Sequence, residues 1–130
     1  MNKLMFKLVF LGFFSVPSWA FADSANDEEF CAQLNDAKTE MEDTLLRIKQ
    51  RKQNDSAFLK ALNNSQKQWM QYVDAELLMQ FPSKQFIDYG SVLPMCQCVA
   101  RLGLVQERIV TLKQWLEPVM EGDVCTGSKR

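Results

Sequence analysis

Any chemistry in this chain has to be done without histidine, because none of its 130 residues is one. Neither a Ser-His-Asp nor a Cys-His arrangement can form, since both need an imidazole as general base. A mixed Cys/His zinc site is excluded for the same reason. The glycine patterns of nucleophile elbows, phosphate loops and dinucleotide folds are absent. The carboxylates offer little more. Asp74 and Glu76 stand two apart in a helical stretch, so they point to different sides and make a poor acid/base pair. The four cysteines, Cys31, Cys96, Cys98 and Cys125, include no C-x-x-C pair. These residues describe a binding protein rather than an enzyme, with no cofactor and no metal called for, and with cysteines for cross-links.

One constellation stands out in the second half. Gln66, Trp69, Tyr72 and Asp74 lie in QKQWMQYVDAE, Gly90 and Ser91 in DYGSVLPM, and Arg108 and Leu112 in QERIVTLKQWL. In order and spacing, over about residues 59–116, this resembles the LprI-like family of exported lysozyme inhibitors. That family's pattern runs roughly Q-x-x-W-x-x-Y-R-D-x-x-C, a G-S loop, a Cys, and R-x-x-x-L. Three positions depart from it: Val73 stands where the family has Arg, and Leu77 and Ala100 where it has Cys. The two cysteines are missing together, as they would be if one disulfide had been lost. The resemblance implies a small helical inhibitor of lysozyme-type muramidases whose partner is a protein, a lysozyme being the favoured one. The departures keep open a periplasmic adaptor or a toxin-immunity protein with another partner.

The N-terminus has the organisation of a secretory signal. Lys3 and Lys7 precede an apolar run over 8–14, Pro17 breaks it, and Ala20-Phe21-Ala22 is an A-x-A cleavage site. The run is shorter than the ~20 residues that span a bilayer. No Cys stands directly after the cleavage site, where Asp23 is the next residue, so lipid attachment is not expected. The expectation is a signal peptide over 1–22 and one periplasmic or secreted domain over 23–130, with no membrane span. In an exported chain, four cysteines point to two disulfides.

The elements that position these residues read as helices. Phe30, Leu34, Ala37, Met41, Leu45 and Ile48 recur at steps of three and four, as do Phe58, Leu62, Trp69, Val73 and Leu77 with Ser65 or Gln66 filling the gap on that face. Asn54-Asp55-Ser56 supplies a turn and an N-cap between them. Phe81-Pro82-Ser83 ends the second helix, and residues 82–93 make a longer loop. A third seam runs through Met95, Cys98, Leu102, Val105, Ile109, Leu112 and Leu116, opened by Pro94 and ended by Pro118. Gly103 inside it is a candidate for a close helix–helix approach. The expected fold is all-α, a three-helix up-down-up bundle with a loop before helix 3 and a disulfide-tied C-terminal tail.

In such a bundle the first and third helices run parallel, which brings Cys31 beside Cys96 and Cys98. Cys98 is on the buried seam and Cys96 faces away, so the favoured pairs are Cys31–Cys98 and Cys96–Cys125. The second pair is a tight closure. The helix from Cys96 to Glu117 is about 30 Å long, whereas eight extended residues reach about 26–29 Å. If that closure fails, Cys125 is left free or intermolecular.

Charge is unevenly spread. Removing residues 1–22 takes away Lys3 and Lys7 and moves the formal net charge from −1 to −3. Residues 23–43 hold eight acids, including Glu28 and Glu29, against Lys38, while 47–67 hold six bases against Asp55. An acidic helix face is ordinarily a solvated one; the functional alternative is steering of a cationic partner. The basic stretch lacks interleaved aromatics, so nucleic acid is not expected. Trp69 reads most simply as a core anchor, with Tyr72 and Asp74 held to the third helix and Arg108 as the charge partner of Asp74. The candidate contact surface is then Phe86, Asp88, Tyr89 and Ser91 of the loop, a long ordered loop being a common place for function, together with Glu28 and Glu29. Oligomeric state is not legible from the sequence.

Overall fold

The computed structural model describes residues 22–82 and 86–129. The expected signal peptide, 1–22, lies outside them except for Ala22. Three long helices carry the described chain: α1 (Ala22–Arg51), α2 (Ser56–Gln80) and α4 (Leu93–Lys113), with a single-turn α3 (Phe86–Tyr89) before α4 and a 3₁₀ segment (Val124–Lys129) in the tail. No strand occurs among the described residues.

Local chemistry sets the boundaries. The Asp55 carboxylate accepts the Phe58 N–H at 2.9 Å, capping α2 where four amides would otherwise lack partners. Phe81 closes α2 with an N–H to the Leu77 carbonyl at 2.8 Å, then turns extended (φ −127°, ψ 72°) ahead of Pro82, as a residue before proline prefers. Gly90 takes φ +71°, a left-handed conformation that suits glycine, and lets the chain turn from α3 into α4. Pro94 in the first turn of α4 needs no amide partner there.

Cross-links between helices give their directions. Cys31 is bonded to Cys98, and Glu40 pairs with Lys113 at 2.6 Å, so α1 and α4 run the same way. Between α2 and α4 the pairs are Phe58 with Trp115, Gln66 with Arg108, and Asp74 with Arg101, so α2 runs opposite to α4. The bundle is up-down-up. Its core is built from the expected stripes: Leu34, Ala37, Met41, Leu45 and Ile48 of α1, Phe58 and Leu62 of α2, and Leu102, Val105, Ile109 and Leu112 of α4. Thr44 is also buried there, its hydroxyl satisfied by the Glu40 carbonyl one turn back at 2.8 Å.

Four expectations need correction. The seam of α4 ends at Lys113 rather than at Pro118, because residues 112–116 tighten into turns, with Trp115 N–H on the Leu112 carbonyl and Leu116 N–H on that of Lys113. Gly103 marks no close approach: it is exposed, and a Cβ there would meet nothing within 4 Å. The loop 82–93 contains the turn of helix α3. Cys96 and Cys125 are not joined; both are free thiols. The tail spends its length on turns at Asp123 and Thr126 and stays at the far end of α4, where Lys129 sits 5.5 Å over the Trp115 ring. It never runs back toward Cys96, so the tail is not tied by a disulfide.

Candidate functional site

The Cys31–Cys98 disulfide does more than close a 67-residue separation. It fixes the start of α1 beside the start of α4, and therefore gathers at one pole of the bundle two features far apart in sequence. One is the acidic opening of α1, where Glu28 and Glu29 are exposed; Glu29 accepts a 3.2 Å hydrogen bond from Gln33 Nε2. The other is the corner made by α3 and Gly90-Ser91. α1 begins nine residues before Cys31 and α4 five before Cys98, so at 1.5 Å per residue α1 projects about 6 Å further.

The corner is anchored from beneath. Tyr89 is half-buried and meets Phe81 edge-on at 5.7 Å, and Leu93 is buried under the turn. Asp88 and Ser91 are exposed at the surface. The side chains of Phe86 and Ile87 lie outside the described residues. Next to the corner opens a groove between α1 and α2, floored by α4. Its wider part, about 850 Å³, is walled by Leu34, Leu77, Phe81, Leu93 and Cys98. A narrower part of about 390 Å³ continues past Met41, Trp69 and Val73. Lys38, Asp74 and Arg101 border both parts.

The constellation of α2 divides into two groups. Asp74 pairs with Arg101 at 3.2 Å, not with Arg108 as the sequence suggested. Arg108 lies about two turns further along α4, where its Nε donates to Gln66 Oε1 at 3.1 Å and its Nη2 to Ser65 Oγ at 3.1 Å. Its guanidinium also stands 5.7 Å over the Trp69 ring, which is half-buried against the core. Burial lowers the Arg108 pKa from its ordinary value, because desolvation disfavours the charged form. Tyr72 is half exposed and is not held to α4. Val73 is almost fully buried and Leu77 buried, so apolar packing occupies these positions of α2. Sequence reasoning missed Arg101 and the α1–α2 groove; the antiparallel step between α2 and α4 was the signal that could have found the first.

The described residues contain no cluster of side chains able to hold a metal ion, and no described helix is long and apolar enough to cross a membrane. The model of the family described as lysozyme inhibitor LprI matches residues 22–112. The chain belongs to the LprI lysozyme-inhibitor family. The match begins with the first residue of α1 and ends one residue short of the end of α4, so it takes in the whole bundle and leaves out the tail. No curated protein and no solved structure matches the chain. LprI membership implies an inhibitor rather than an enzyme, with a lysozyme as the kind of protein partner.

Proposed function

We propose that this LprI-family protein is exported, with cleavage after Ala22, and inhibits a lysozyme-type muramidase by seating its disulfide pole in the sugar-binding cleft. The family match over the whole bundle carries this reading. The pole supports it physically. A corner braced by Phe81 and Leu93 can be presented with little ordering cost, and preorganisation of this kind favours affinity. Glycosidase clefts hold their catalytic carboxylates at the bottom of a sugar groove, and a protruding corner blocks access without any chemistry of its own. The exposed acids at the start of α1 favour a basic lysozyme and raise the association rate through long-range attraction.

The contact residues under this proposal are Phe86, Asp88, Tyr89 and Ser91, with Glu28 and Glu29 steering. Phe86→Ala and Ser91→Ala should weaken inhibition while leaving the melting temperature nearly unchanged. Tyr89→Ala should also lose about 0.5–1.5 kcal/mol of stability with its aromatic partner. Reversing Glu28 and Glu29 to Lys should slow association and flatten its salt dependence. If these variants inhibit normally while a folded Asp74→Asn protein does not, recognition belongs to α2 and its groove instead. The adaptor or immunity reading rests on Val73, Leu77 and Ala100, where this chain differs from the family pattern.

A further inference from the structure

The pole opposite the disulfide has a chemistry of its own. About 22 Å along α4 from Leu93, Arg108 lines a pocket of about 500 Å³ between α2, α4 and the tail. Among the described residues no carboxylate pairs with this guanidinium. Its two hydrogen bonds go to neutral oxygens, those of Gln66 and Ser65. Of the five N–H donors a guanidinium carries, two are used in these bonds and three have no acceptor among the described residues. Ser65 stands beside it on the pocket wall and keeps its own hydroxyl proton to donate. Ser128 brings a further hydroxyl from the tail.

The rest of the wall is apolar and aromatic, from Leu62, Leu112 and the half-buried Trp115. Two more cations sit at Trp115: Arg51 donates to its carbonyl at 3.4 Å, and Lys129 lies over its ring. Against these, Asp55 is the one carboxylate on the wall, and one of its oxygens is engaged in capping α2. On the pocket wall itself Arg108 faces one carboxylate, while Glu117 and Asp123 stand with Lys129 in the neighbouring tail cleft. A pocket of this size, mostly apolar and with a few converging polar groups, is built for a small ligand. An unpaired, partly desolvated guanidinium selects a carboxylate or phosphate, which it can grip with two parallel bonds.

We propose that the Arg108 pocket binds a small carboxylated sugar, its acid on Arg108 and Ser65 and its ring against Trp115 and Ser128. Carboxylate is favoured over a bare oxyanion because most of the wall is apolar and would be left empty by an ion alone. The class includes N-acetylmuramic acid, the carboxylated sugar of the polymer that muramidases cut. The choice of a cell-wall sugar rests on the proposed muramidase partner, while the pocket itself lies at the opposite end of the bundle from the disulfide pole, so failure of this titration and failure of inhibition are separate results.

The test is titration of the exported protein with N-acetylmuramic acid, N-acetylglucosamine and inorganic phosphate, followed by NMR at the Arg108 Nε–H and the Trp69 and Trp115 indole N–H signals. Saturable shifts are expected with N-acetylmuramic acid, with at least tenfold weaker binding of the other two. Arg108→Gln should weaken binding by about tenfold to a hundredfold, the equivalent of one charge-assisted interaction, with Arg108→Lys in between. Because Arg108→Gln also touches the α2–α4 interface, Ser128→Ala in the tail serves as the second variant and should weaken binding a few-fold at unchanged melting temperature. Equal binding of N-acetylglucosamine or phosphate overturns the assignment. So does the absence of a saturable shift, or full-strength binding by both variants.

Discussion

The difference between Asp74 and Arg108 shows how residue-scale reasoning succeeds and fails in this chain. Trp69 was legible as a packing residue from its place on the stripe of Phe58, Leu62, Val73 and Leu77, and it does pack against the core. The charge partner was not legible, because pairing depends on the step between two antiparallel helices. From Gln66 to Asp74 the chain advances eight residues along α2, and the partner on α4 retreats seven, from Arg108 to Arg101. Arg108 is therefore too far along α4 for Asp74. The two interactions should behave differently. Asp74→Asn removes an exposed ion pair and should cost less than about 1 kcal/mol in chemical denaturation. Trp69→Ala removes a half-buried indole and the surface that Arg108 stacks on, and should cost about 2–4 kcal/mol, toward the lower part of the range for aromatic truncations. Thr44 was invisible in the sequence because it is polar, yet it lies between Met41 and Ile48 on the same face and satisfies its hydroxyl within its own helix.

At the scale of elements, the helices were readable because their apolar residues recur at steps of three and four over many turns. The N-cap at Asp55 was readable because an aspartate before an apolar run has a specific amide to accept. Asp55→Ala should lower stability by about 1 kcal/mol, measured by urea unfolding. The end of α4 was misplaced because Pro118 forbids a helix only where it stands, and the chain had already tightened into turns at residues 112–116. A glycine inside a helix suggests a close approach of a neighbour, but the Cβ position of Gly103 is open. That makes a clear prediction. Gly103→Ala should stabilise the protein by about 0.5–1 kcal/mol, raising the melting temperature without touching any partner. Loss of stability would mean that another group packs on α4 at that point.

For the whole molecule, the disulfide sets both the fold's closure and the proposed function's geometry. The helix directions made Cys31–Cys98 foreseeable from the parallel run of α1 and α4. The second pair failed for a reason the sequence does not display, namely how much of the tail is spent on turns. Titration of the native protein with a thiol reagent should find two free thiols, with exposed Cys125 reacting before half-buried Cys96, and four after reduction and unfolding. Replacing Cys31 and Cys98 together by Ser should cost about 2–4 kcal/mol by removing a long cross-link. It should also weaken inhibition, because Glu28, Glu29 and the Tyr89–Ser91 corner would no longer be held at one pole. The central claim is that this pole inhibits a muramidase. It is tested most directly by titrating the purified protein into a cell-wall lysis assay with c-, g- and i-type lysozymes at two salt concentrations. The expected result is inhibition of at least one class that weakens as salt rises, because charge steers the encounter. Undiminished lysis by all three classes at both salt concentrations would contradict it.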